Sequence, residues 1–338
     1  MQSLASTEFQ NTFEKYIIQN FPSLKYLLYI KNDIYAFLNF GFFHSGYDWG
    51  ISVGRDGILF EKGYLISAYT RSIDKNKIAL LAQASAKQFE LLKQNLEILG
   101  IPLIMVLAPH KVDLFDHAAP WVFRIRAPNL KTGSALAGPI YAKYLGKADV
   151  NFVDCYPPLA QKDVAEISFP DQGAHWSMYG AGICLKMIAR KLHELNPAEF
   201  PEIEIAGKFV SDDSFYAERD IAKLLNIWPH YKNGRNSHYH AVFRKTRRPL
   251  ALLVMGDSFM GQLLANMNLS GYTTYENSFH FENRLPTRDE FRTALRAARA
   301  CIIVGNVQKF ITPFWEGYVA ALNGYFSGPA SLRHGRQP

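Results

Sequence analysis

Three apolar runs stand out along the chain: "IPLIMVLAP" (Ile101 to Pro109), "LALLV" (Leu250 to Val254) and "CIIVGN" (Cys301 to Asn306). None alternates apolar with polar residues, so each predicts a strand covered on both faces. Segments of helical period lie between and beside them. Lys75 to Gly100 repeats apolar residues every three or four positions and stops at a glycine. Ser177 to Leu195 predicts a helix with Ser177 as N-cap, and "MGQLLANMNL" and "FRTALRAARA" predict two more. "ISVGRDGILFEKGYL" predicts a hairpin turning on Arg-Asp-Gly, and "VNFVDCYPPL" a short strand and turn. Buried strands alternating with helices across short glycine turns predict an α/β fold in three layers, with a mainly parallel central sheet flanked by helices.

Composition adds bounds. With 338 residues, 48% hydrophobic and 20% charged, the chain can bury a large core. The organisation expected is an N-terminal helical segment packing on the body (1–50), a main catalytic-type domain (51–325) and a flexible tail (326–338). The stretch from Phe21 to Phe43 is apolar but interrupted by Lys25, Lys31, Asp33 and Asn39, which predicts amphipathic helices and not a membrane span. No signal peptide is read in the chain. The net charge of +7 favours anionic partners at encounter. Beyond "FRKTRRP" (Phe243 to Pro249) no basic block stands out, which argues against nucleic acid. Cys155, Cys184 and Cys301 have no CxxC spacing and are expected as buried free thiols. His110, Asp113, Asp116 and His117 cluster, as do His238 and His240, but without the helical His pair of a zinc site. No metal or cofactor is expected.

In a parallel sheet, ligands bind beyond the carboxyl ends of the strands. "MGDSF" follows "LALLV", Gly305-Asn306 ends "CIIV", and "PDQGAHWS" (Pro170 to Ser177) leads into a helix. A serine becomes a nucleophile when a base is in reach and a third group orients that base. Ser258 is the candidate nucleophile, His175 the base and Asp171 the orienting acid, with Asp154 in reserve. Asn306 and the backbone around Gly256 and Ser258 would receive an oxyanion. Each motif also has a plain reading: a turn at Gly-Asp-Ser, a capping histidine, a turn at Gly-Asn.

Gly256-Asp257-Ser258-Phe259 resembles the nucleophile block of the SGNH (GDSL-type) hydrolases, and Gly305-Asn306 a shortened form of their Asn block. Here His175 precedes Ser258, a permuted order similar to that of the alginate O-acetylation family (AlgJ and AlgX type), polysaccharide O-acetyltransferases. "SVGRDGILF", "MVLAPHKVDLF", "AHWSMYGA" and "RDIAKLLNI" resemble further blocks of that family, from about residue 10 to 320. The chain departs from the pattern at Gly173, where the family has the Asp of Asp-x-His-Trp, and at Ile58, where it has Trp. The resemblance implies an SGNH-like fold and a double displacement. Ser258 would take an acetyl group and His175 would then activate a polysaccharide hydroxyl. It also implies a donor delivered by a membrane-bound O-acyltransferase partner and a periplasmic location. Lys111 belongs to its Pro-x-Lys turn and is expected to line the site. Trp176, with Tyr179, Trp228 and Tyr239, would stack on sugar rings. A carbohydrate acetyl esterase with the same triad, and a non-catalytic glycan-binding component of an export complex, are the alternatives.

Overall fold

The fold is described from a computed structural model. It covers residues 16, 19–20, 42–43, 50–69, 75–121, 123, 133–212, 218–225, 238–244, 249–273, 278–280, 284–307 and 314–327. Most of the N-terminal segment, Trp228, the basic residues 245–248 and most of the C-terminal tail lie outside the described residues.

The predicted buried strands form the sheet. In chain order the strands are β1 (Phe42–Phe43), β2 (Ile51–Val53), β3 (Leu59–Glu61), β4 (Leu103–Ala108), β5 (Asn151–Asp154), β6 (Ile205–Ser211), β7 (His238–Phe243), β8 (Leu252–Gly256), β9 (Ser278–His280) and β10 (Ala300–Asn306). Five of them pair in parallel in the order β5-β4-β10-β8-β9. Side chains alternate across a strand, and the register keeps the two sets apart. Ile104, Val106, Val254, Ile302 and Val304 face one core, with the helices Met178–Leu195 and Met260–Leu269. Leu103, Met105, Leu107, Leu253, Met255, Cys301 and Ile303 face the other, with the helices Lys75–Glu97, Gly133–Leu145, Arg288–Ala297 and Phe314–Gly324. The result is helix, sheet, helix.

Local signals set the element ends. Gly100, at φ +67, closes the helix Lys75–Glu97 in a conformation that costs glycine nothing. Ser177 Oγ accepts from Gly180 N at 3.0 Å and caps the helix Met178–Leu195. The hairpin of β2 and β3 turns at Arg55–Gly57, with Asp56 and Gly57 both at positive φ. β6 and β7 make a separate antiparallel ribbon, and Ala241 and Phe243 of β7 pack at Gly182 of the helix Met178–Leu195.

One expectation is corrected. Cys155 and Cys184 are not free thiols but form a disulfide, with Cα atoms 5.6 Å apart, while Cys301 is a buried free thiol. The bridge fastens the end of β5 to the second turn of the helix Met178–Leu195. The sequence hid it because the two residues meet only when that helix crosses the strand end.

Candidate active site

β8 ends at Gly256, and a tight turn carries the chain into the helix Met260–Leu269. Only glycine fits at 256, since a Cβ there would stand 2.7 Å from Val304 O on the neighbouring strand. Gly256 is therefore a close-packing residue, not a ligand-facing one. Asp257 is buried and holds the turn: Oδ1 accepts from Phe259 N (3.0 Å) and Oδ2 from Asn306 N (2.7 Å). That carboxylate locks the end of β8 to the end of β10. Ser258 is left half-exposed at the start of the helix, where the amide dipoles favour negative charge. Among the described residues neither its N–H nor its Oγ has a hydrogen-bond partner. Asn306 is buried, and its Nδ2 donates to Pro109 O at 3.4 Å, which fixes the amide at the end of β10.

His175 comes from the loop between Ser168 and the helix Met178–Leu195. Its ring lies 5.0 Å from the ring of Phe259, the residue after Ser258. Trp176 Nε1 donates to Phe259 O at 2.9 Å, so the histidine loop and the nucleophile turn are bonded to each other. Trp176 is fully buried and thus cannot stack on a sugar as expected; it is the strut beneath the site. Lys111 is also inside, not lining a cleft. Its ammonium donates to the carbonyls of Pro170 (2.7 Å), Asp171 (2.9 Å) and Gly173 (2.9 Å), three donors for three acceptors. Burial pushes its pKa down to about 7 against the pull of Asp171, Asp220 and Glu61. This clamp shapes the loop that presents His175.

The acid on the histidine is Asp220. Its Oδ2 lies 2.6 Å from His175 Nδ1, while its Oδ1 accepts from Ala174 N (2.9 Å) and Ile221 N (2.8 Å). Asp171 does not hold that position, which Asp220 Oδ2 occupies; the backbone carbonyl of Asp171 accepts from Lys111 Nζ and from Leu59 N. Asp154 does not either, since its Oδ1 accepts from Tyr156 N at the end of β5. The reason is steric and lies at Gly173, two residues before His175. A Cβ there would meet Glu218 O at 2.7 Å and Pro170 Cγ at 2.9 Å. The absence of a side chain lets the backbone at Glu218 approach, and two residues later that segment delivers Asp220. Glu218 is itself fully buried, accepting from Met178 N (2.9 Å) and lying 3.0 Å from His238 Nδ1. Burial opposes charge on His175, but the hydrogen bond and charge of Asp220, with Glu61 and Asp257, outweigh it and raise its pKa above 6.5. A histidine bonded to a carboxylate through Nδ1 presents Nε2 as a base.

The remaining candidates lie outside the His175–Asp220 pair. His110 and Asp113 make a capping box on the short helix Lys111–Leu114, and Asp116 accepts from Tyr69 Oη. Tyr179 and Tyr239 both flank the Lys208 ammonium on the β6–β7 ribbon. A cavity of about 730 Å³ opens at the other end of the strands, between Asn196–Glu199, Pro249–Ala251 and Arg299, away from this chemistry. Strand-end position and the His175–Asp220 pair, not cavity size, mark the site.

No protein-family model matches the sequence, and neither does any curated protein. Solved structures do match. The O-acetyltransferase domain of Pseudomonas putida AlgJ aligns at TM-score 0.51 and 13% identity, over 80% of this chain and 99% of that one. Bacillus cereus PatB1, solved with a sulfonyl adduct, aligns at 0.53 and 12%, over 79% and 96%. Pseudomonas aeruginosa AlgX aligns at 0.52 and 16%, over 85% and 70%. At such identities the likeness is one of architecture. The chain has the three-layer SGNH-hydrolase-like fold of these proteins, with a parallel sheet between helices.

Proposed function

We propose that the protein is an O-acetyltransferase that carries an acetyl group on Ser258 and passes it to a polysaccharide hydroxyl. The observation that supports this best is the His175–Asp220 pair, packed against the residue that follows a partnerless Ser258 at a helix start. In the first half-reaction His175 Nε2 takes the Ser258 Oγ proton as Oγ attacks the acyl carbon. The oxyanion is received by Ser258 N–H and Asn306 Nδ2. Collapse expels the donor's oxygen or sulfur, which leaves with the proton from His175. In the second half an acceptor hydroxyl gives its proton to His175 and attacks the acyl-serine, and Ser258 leaves with that proton. Asp220 holds the ring and steadies its charge throughout.

Similarity to the AlgJ O-acetyltransferase domain supports transfer over hydrolysis, and the net charge of +7 suits an anionic glycan. The donor class is an acetyl ester or thioester, for which a membrane-bound O-acyltransferase partner is the source in this reading. The Cys155–Cys184 disulfide supports a compartment that oxidises thiols, such as the periplasm. Among the described residues no helix is long and apolar enough to cross a membrane.

The test is labelling and turnover. A sulfonyl fluoride is expected to modify Ser258, read by peptide mass spectrometry. A chromogenic acetate should release its phenol faster when a soluble uronate oligosaccharide is added, with acetylated sugar as product. Turnover indifferent to sugar would mean an esterase; no labelling, with acetylation surviving in Ser258→Ala, would end the catalytic reading.

A further inference from the structure

His110 is not used by the reaction just described, yet it lies close enough to His175 to feel its charge. It follows β4, whose end pairs with the end of β10: Asn306 is in register with Ala108, and Pro109 O holds the Asn306 side chain. The ring is 2% exposed. Its Nδ1 accepts from Val112 N at 3.2 Å, so that nitrogen carries no proton. A neutral imidazole then bears its proton on Nε2. Burial pushes the pKa of His110 well below 6.5, and the charges of His175 and Lys111 push the same way. Tyr64 packs on the ring at 3.9 Å between centroids and fixes its orientation. Nε2 is buried, and among the described residues it has no hydrogen-bond partner. Buried donors left unpaired are costly and rare in folded proteins. A donor kept in one tautomer, within reach of the charge of His175 and without an acceptor among the described residues, fits a ligand oxygen.

We propose that His110 donates its Nε2–H to the acyl carbonyl oxygen, as a third oxyanion donor beside Ser258 N–H and Asn306 Nδ2. The ligand chemistry is a carbonyl oxygen that becomes anionic as Ser258 Oγ adds to its carbon. The inference rests on the acyl-serine reading above. The bond from Asn306 to Pro109, the residue before His110, favours the acyl oxygen over the acceptor hydroxyl.

Two measurements test it. The first is the burst of phenol from a chromogenic acetate, which reads acylation alone, in His110→Phe and His110→Gln. His110→Phe is expected to slow the burst on the order of 100-fold, as for loss of one oxyanion donor, and His110→Gln, which keeps an N–H, to recover part of it. A wild-type burst in His110→Phe, or a defect confined to the KM for the sugar, overturns the proposal. The second needs no variant: the ¹H–¹⁵N signal of His110 Nε2–H in the labelled wild-type protein should move when a sulfonyl fluoride modifies Ser258. An unmoved signal on a modified protein overturns the role of His110 while leaving the acyl-serine intact. A wild-type protein that is not modified at Ser258 overturns the acyl-serine reading, and this proposal with it.

Discussion

Asp220 bonds His175 with one carboxylate oxygen and two backbone amides with the other, so the carboxylate is oriented before any substrate arrives. Replacing it with asparagine keeps the shape but lets the amide drive His175 into the wrong tautomer. The expected loss in kcat for a chromogenic acetate is about 10²- to 10⁴-fold. Asp171→Asn should cost far less, because the hydrogen bond to His175 Nδ1 comes from Asp220. Equal losses would return the role to Asp171. The raised pKa of His175 sets a pH dependence. A general base acts in its neutral form, so kcat/KM should rise with pH through a midpoint above 6.5. With Asp220→Asn, burial is opposed only by the charges of Glu61 and Asp257, and the midpoint should move down. For stability the sign is the reverse. The pair's contribution is present in full below about 6.5, the unfolded value, and is lost as pH rises through the folded one.

At the level of elements, the histidine loop is set by two packing relations that spacing along the chain does not show. Lys111 gathers three carbonyls of the loop, and Gly173 yields the space that Glu218 fills. Gly173→Ala is expected to destabilise by about 1–3 kcal/mol in urea unfolding, as overpacking does. It should also lower kcat by shifting the segment that carries Asp220. Loss of stability with kcat intact would show that Asp220 is positioned independently of Gly173. What the sequence revealed here divides cleanly. The places of Ser258 and Asn306 at strand ends, and of His175 just before a helix, were legible because local pattern marks strand ends and helix starts. The acid was not, since Asp220 reaches His175 from 45 residues away along the chain. Its signal was the glycine in the acid's usual place. Trp176 and Lys111 were legible as members of the site but not in their roles, because only packing shows that they support it from beneath.

For the molecule as a whole, the sheet and its two helical layers followed from the apolar runs, while the disulfide did not. With its ends 29 positions apart in sequence, the Cys155–Cys184 bridge removes loop-closure entropy from the unfolded chain. The entropic model gives about 3–4 kcal/mol for such a loop. Cys155→Ser with Cys184→Ser should lower stability by that order in urea unfolding, and a reductant should have no further effect on the double variant. A double variant as stable as the oxidised wild type would show that the bridge has no part in stability. The pairing of Gly173 with Asp220 has a consequence of another kind. The two positions are coupled through the backbone at Glu218. An aspartate at 173 would collide with Glu218, so an acid cannot be moved there without displacing the segment that carries Asp220. A search pattern that demands Asp two residues before the histidine would therefore miss the His175–Asp220 pair.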